Sequence, residues 1–214
     1  MDVEMVRFIS FDMDGTLIDS EYTDWVWGHG IPTLYAKKEG LTLEEAKALV
    51  TKEYHKVGEA AIEWYDIKYW FRFFDLGSDW KRLMESYADR IHVYPEVNQL
   101  LERLKKRFDL ILTSNAAREF IDIEMKATGL ARYFDRIFSA TTDFRVLKKA
   151  PDLYRRVCQS LGVSPEEIVH VGDHYEFDYL VPQSLRIQAF YLDRLNHRCG
   201  EFVLGSLADI EDRL

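Results

Sequence analysis

Two carboxylates stand at the end of an apolar run, in Phe11-Asp12-Met13-Asp14-Gly15-Thr16. On an extended backbone, side chains two residues apart point the same way, and Gly15 then permits a tight turn. An Asp-Gly turn capped by Thr16 is one reading of the stretch. Its position argues for more, because two like charges at the end of a buried strand raise each other's pKa and repel unless a cation intervenes. The pair therefore calls for a metal or a catalytic role. Three later stretches carry matching chemistry, each at the end of a later apolar run. Leu112-Thr113-Ser114-Asn115 offers hydroxyls and an amide that suit phosphate oxygens. Lys148, three residues before Pro151, offers an ammonium, and Val171-Gly172-Asp173, with Asp178 five residues on, offers further carboxylates. Taken singly, Ser114-Asn115 reads equally as a helix cap, Lys148 as a solvated charge and Asp178 as a surface acid. Their order and their common place at strand ends carry the signal.

These residues need a scaffold that gathers strand ends. Runs rich in β-branched, aromatic and other apolar residues recur at Val6 to Phe11, Leu110 to Thr113, Arg136 to Ser139, Ile168 to Val171 and Gln188 to Leu192. Between them lie amphipathic stretches with helical spacing: Val97, Leu100, Leu101 and Leu104; Phe120, Ile123, Met125 and Leu130; Leu153, Val157 and Leu161. Pro95, Pro151 and Pro165 fall where a loop or first helical turn tolerates a missing N–H, and Gly129 and Gly162 fall where helices end. This alternation predicts an α/β fold, a Rossmann-like parallel sheet covered on both faces, with its ligand site at the carboxyl ends of the strands. One segment breaks the pattern. Residues 20–91 show no convincing strand and read as helices, with a capping-box pattern at Thr42 to Glu45 opening Thr42 to Tyr54 and a densely aromatic stretch from Gly58 to Phe74. This predicts an inserted α-helical domain of residues 20–91 in a core of residues 1–19 and 92–214. The insertion holds Trp25, Trp27, Trp64, Trp70 and Trp80, expected mainly as core, with outward-facing members free to touch a substrate.

The balance of 28 Lys and Arg against 37 Asp and Glu, a net charge of -9, argues against a nucleic-acid partner, which wants a basic face. A hydrophobic content of 47% argues against disorder. Cys158 and Cys199 stand alone, without the spacing of a zinc knuckle or disulfide framework. Residues 1–5 carry two acids and no basic region leading into an apolar one, and no apolar run approaches the ~20 residues of a membrane span. The expectation is a cytoplasmic protein with no membrane partner, a monomer or homodimer.

The four stretches together resemble the motifs of the haloacid dehalogenase superfamily: the DxDGT pattern at Asp12 to Thr16, Ser114, Lys148, and the GDxxxxD pattern from Gly172 to Asp178. The insertion resembles the cap of the subfamily that includes phosphoglycolate phosphatase, β-phosphoglucomutase and the haloacid dehalogenases. The resemblance implies a phosphoric monoester hydrolase acting on a small phosphorylated metabolite. Asp12 would be the nucleophile that forms an aspartyl phosphate, Asp14 the general acid/base, and Ser114, Asn115 and Lys148 the phosphate-binding groups. Mg²⁺ would be held by Asp12, the Asp14 carbonyl and Asp173, with Asp178 a ligand through water or an orienting group.

The alternatives within the family are a 2-haloacid dehalogenase, in which the second acid is typically replaced, and a phosphomutase, which shares all the motifs. Retention of Asp14 favours phosphoryl chemistry. From another class, a receiver-like phospho-acceptor module shares the acidic pair, Ser/Thr and Lys but has no cap. The chain departs from the family pattern in two places. Lys148 is followed by Lys149 and Ala150 before Pro151, which leaves Lys149 as a second candidate for the motif lysine. His174 and Phe177 occupy the fourth motif, with His174 either a site residue or an exposed loop residue.

Overall fold

The computed structural model describes residues 6–148 and 150–214; Lys149 and residues 1–5 lie outside them. Six strands form one sheet in the order β3-β2-β1-β4-β5-β6, every neighbouring pair parallel. They are β1 Phe8–Phe11, β2 Asp109–Ser114, β3 Arg136–Ser139, β4 Ile168–Gly172, β5 Gln188–Leu192 and β6 Val203–Leu204. Five match the expected runs, although β1 starts at Phe8 rather than Val6. The sixth, two residues long, is too short to produce a period that a sequence can show.

Alternation along each strand sorts side chains onto two faces. Ile9, Phe11, Leu110, Leu112, Val169 and Val171 pack in one cluster with Val97, Leu100, Leu101 and Leu104 of α6 (Val97–Leu104) and Ile121 of α7 (Arg118–Thr128). Phe8, Ile111 and Ile168 pack on the other face against Leu153, Tyr154 and Val157 of α8 (Pro151–Leu161). The helix boundaries obey local chemistry: Pro151 starts α8, and Gly129 and Gly162 end α7 and α8 at φ 68° and 69°, a left-handed backbone that favours glycine.

The inserted segment leaves and rejoins the sheet through adjacent backbones. Asp19 donates its N–H to His92 O at 3.0 Å, and Tyr94 donates to Leu17 O at 3.1 Å. Between these crossings run α1 (Glu21–Trp25), which continues through a π-helical turn into α2 (Ile31–Glu39), then α3 (Leu43–Val57), α4 (Ile67–Phe73) and α5 (Trp80–Glu85). The Thr42–Glu45 capping box forms: Glu45 N–H donates to the Thr42 hydroxyl at 3.3 Å, and Thr42 N–H donates to the Glu45 carboxylate at 2.9 Å. The stretch from Gly58 to Phe74 is not one helix. Gly58 turns the chain at φ 74°, Ile62–Tyr65 forms a 3-10 turn, and Asp66 caps α4 by accepting from Lys68 and Tyr69 N–H at 2.8 and 3.1 Å. These helices enclose a cluster of Tyr22, Val26, Ile31, Trp70, Phe71 and Met84 that extends to Ala117 and Phe120 at the start of α7.

Candidate active site

The sheet order reverses direction at β1 and β4, and the crevice beyond their carboxyl ends is where such sheets bind ligands. The register pairs Phe11 with both Leu112 and Val171, so Asp12, the end of β2 and the end of β4 arrive at one level. A cavity of about 290 Å³ opens there, lined by Asp12, Asp14, Ser114, Asn115, Lys148, Asp173 and Asp178 among others. All seven sequence-predicted site residues therefore meet.

Asp12 lies on the α8 side of the sheet, and Lys148 approaches from the loop before α8. Lys148 Nζ donates to Asp12 Oδ1 and to Asp178 Oδ1, each at 2.5 Å, with all three side chains buried. Burial opposes the ammonium's charge, but Asp12 and Asp178 outweigh it and raise the Lys148 pKa above its ordinary value. Likewise burial opposes the Asp178 charge, yet Lys148 and His170 hold that carboxyl well below the usual range. The other Asp178 oxygen accepts the His174 N–H at 3.0 Å. A Cβ on Gly172 would collide with the Asp178 carboxylate, and one on Gly15 would collide with Asp173, which explains glycine at both positions.

Asp14 is different. Its Oδ1 is buried without a hydrogen-bond partner among the described residues. Burial, then the Asp12 charge, pushes its pKa up to about 7, suited to a group that gives and takes protons near neutrality. Asp173 rises to about 8, from burial and then Asp12.

Ser114 and Asn115 line the cavity but also hold its walls. The Ser114 hydroxyl accepts from Ala116 N–H at 3.0 Å, and Asn115 Oδ1 accepts the Lys148 backbone N–H at 2.8 Å, fixing the lysine loop against β2. Thr113, grouped with them on sequence, is corrected: its side chain is fully buried beside Ser10, inside the sheet layer. His174, left between a site residue and an exposed loop residue by the sequence, is half-buried at the cavity wall. Its Nδ1 accepts Phe177 N–H at 3.1 Å and so caps the π-helical turn Tyr175–Leu180, while its ring stacks on Phe177 and both line the cavity. Among the tryptophans, Trp27 and Trp64 line the cavity, Trp70 is core, and Trp25 instead packs under Arg90, 3.7 Å from its guanidinium.

Three residues escaped the sequence reading. His170, fully buried in β4, links Ser10 Oγ at 2.8 Å to Asp178 Oδ1 at 3.0 Å, continuing the network that ends on Lys148 and Asp12. Its signal was one imidazole in an otherwise apolar strand. Glu124, on α7, is fully buried beside Asp14 with neither carboxyl oxygen bonded among the described residues. Its signal was an acid at the spacing of Phe120 and Ile121. Tyr65, from the 3-10 turn, has Asn115, Lys148 and Asp12 as neighbours; burial, then Glu59, pushes its hydroxyl up to about 12.

The residues fit a divalent cation. Asp12, Asp173 and Asp178 each place one carboxylate oxygen within 4.8 Å of the others, an all-oxygen set of the kind hard cations take. Four motif acids face one ammonium, and the charge left over favours such an ion. No helix among the described residues is long and apolar enough to cross a membrane.

The family model for haloacid dehalogenase-like hydrolases matches residues 6–183. A phosphoglycolate phosphatase of Aquifex aeolicus is 32% identical over 178 residues, covering 78% of this chain and 76% of its own. A GMP/IMP nucleotidase of Escherichia coli is 28% identical over 169 residues, covering 78% and 74%. A crystal structure of a HAD phosphatase from Thermococcus onnurineus superposes with a TM-score of 0.85 at 25% identity over 97% of both chains.

Proposed function

We propose, from the premise that this chain belongs to the haloacid dehalogenase-like hydrolases, that it hydrolyses phosphoric monoesters of small metabolites in a Mg²⁺-dependent reaction with Asp12 as the nucleophile. The observation that carries the reading is the Asp12 carboxylate held by Lys148 at 2.5 Å, on the cavity floor that Asp14 shares.

One Asp12 oxygen attacks phosphorus, the P–O bond to the leaving group breaks, and Asp14 gives its proton to the departing oxygen. A water then attacks the aspartyl phosphate, Asp14 takes its proton, and the bond between Asp12 and phosphorus breaks to free phosphate. An Asp14 pKa near 7 serves both halves, since neither protonation state is costly at neutral pH. Lys148 orients Asp12 and offsets phosphoryl charge, and Ser114 and Asn115 flank the phosphoryl oxygens. Asp12, Asp173 and the Asp14 carbonyl would hold Mg²⁺, which supplies charge neutralisation to the phosphoryl group. Asp178, with both oxygens already bonded to Lys148, His170 and the His174 N–H, acts by orienting Lys148. Residues 20–91 form a cap over the core of residues 1–19 and 92–214 and exclude bulk water when substrate is bound.

Asp12→Asn is the test. It should abolish phosphate release from p-nitrophenyl phosphate while the far-UV circular dichroism stays unchanged, and EDTA should silence the parent until Mg²⁺ is restored. Turnover that survives either treatment overturns the corresponding assignment.

A further inference from the structure

The cavity has two unlike ends. Its floor holds the carboxylates and Lys148, whereas its roof is aromatic, built from Trp27, Trp64, Tyr65 and Phe120. Trp27 and Phe120 stack with centroids 5.1 Å apart and planes at 22°, which gives the wall a flat, rigid face. Trp64 and Tyr65 are carried into the roof by the 3-10 turn Ile62–Tyr65. A volume of about 290 Å³ suits a small ligand.

The charge on the walls narrows the ligand further. Besides the four motif acids the lining contains Glu59, and among the described residues its single Lys or Arg is Lys148, already bonded to Asp12 and Asp178. A substrate with a second anionic group would have to place it facing Glu59, with no further Lys or Arg among the described lining residues to offset the repulsion. A planar ring instead gains stacking surface, and any N–H on it finds an acceptor in Glu59.

We propose that the site selects phosphomonoesters whose non-phosphate part carries a planar aromatic or heteroaromatic ring and no second anionic group, and disfavours phosphorylated carboxylic acids. This rests on the phosphatase reading above. Nucleoside monophosphates and simple aryl phosphates share the chemistry; ring N–H groups facing Glu59 separate them.

The test is kcat/KM of the full chain with Mg²⁺ on a nucleoside 5′-monophosphate, phenyl phosphate, glycerol 3-phosphate and 2-phosphoglycolate. The nucleoside monophosphate should exceed 2-phosphoglycolate by about tenfold or more, the scale of one stacked base. Trp64→Ala should lower the ratio of nucleoside monophosphate to glycerol 3-phosphate by about tenfold. Because Trp64 is partly buried, the exposed Glu59 supplies a second variant that spares the fold. Glu59→Arg should shift the preference toward 2-phosphoglycolate, and Glu59→Gln should narrow the gap between nucleoside monophosphate and phenyl phosphate if the ring donors matter. Parent turnover of 2-phosphoglycolate at or above the ring-bearing esters, or ratios unmoved by the Trp64 and Glu59 variants, would overturn the inference and leave the phosphatase reading standing. Absence of turnover on every ester, with Asp12→Asn equal to the parent, would sink the phosphatase reading instead.

Discussion

Glu124 sits where an α/β core normally admits only apolar groups, fully buried on α7 with both carboxyl oxygens unbonded among the described residues. Burial, then the neighbouring Asp14, raises its pKa well above the ordinary glutamate value. The Tyr22 hydroxyl and Asp14 Oδ1 are likewise buried without a partner among the described residues. A buried polar group left unsatisfied costs roughly 1–3 kcal/mol, a cost compatible with function when it orients a reactive neighbour. Glu124→Leu, which nearly conserves volume, should therefore raise the thermal midpoint and lower kcat, because Asp14 loses the carboxyl beside it. Calorimetry and steady-state kinetics on one preparation check this; a lower midpoint with unchanged kcat would show that Glu124 serves packing. Asp12, Asp14, Lys148 and Asp173 were legible because acids and a lysine at strand ends stand out in sequence. Glu124 was not, because an acid at helical spacing looks the same whether its face meets solvent or core.

At the scale of elements, the cavity roof depends on a short, capped unit. Asp66 accepts from Lys68 and Tyr69 N–H, starts α4 immediately after the turn that carries Trp64 and Tyr65, and lies three residues before Tyr69 and four before the buried Trp70. Loss of an N-cap costs about 1 kcal/mol, which for a domain of this size is about 2–4 °C in melting temperature. Asp66→Ala should lower the midpoint by that amount and raise KM, since Trp64 and Tyr65 lose their fixed bearing on the cavity. An unchanged KM beside the lowered midpoint would detach this turn from substrate contact. The sequence showed where α3, α7 and α8 begin or end, because Thr42, Pro151, Gly129 and Gly162 act through their nearest neighbours. It left the elements within Gly58 to Phe74 undivided, because aromatic density carries no period strong enough to reveal the break at Gly58 and Asp66.

For the molecule as a whole, the carboxylate cluster ties stability to pH. Folding raises Asp14 from 3.8 to about 7 and Asp173 from 3.8 to about 8, so the native state holds more protons than the unfolded chain between those limits. By linkage, the contribution of these two groups is fully present below their unfolded pKa and is lost as pH rises through the window, and Glu124, also raised by folding, acts in the same sense. Asp178, depressed by folding, acts in the opposite sense but only at lower pH, outside this window. The metal-free protein should thus melt at a lower temperature at about pH 8 than at about pH 5, and Mg²⁺, which competes with these protons, should stabilise it more at the higher pH. Differential scanning calorimetry with and without Mg²⁺ checks both signs; a metal-free midpoint that rises with pH would contradict the carboxylate cluster. By itself the sequence determined the parallel α/β sheet and the helical character of residues 20–91, and it singled out residues that meet at one cavity, because hydrophobic period, caps and strand-end chemistry act over a few neighbouring residues. Only the tertiary structure decided that Asp178 is held by Lys148 and His170, that Glu124 faces Asp14, and that Trp27 and Trp64 roof the cavity while Trp25 and Trp70 do not. Those contacts join residues far apart in the chain, and the packing of helices on the sheet, which no local pattern encodes, sets which side chains meet.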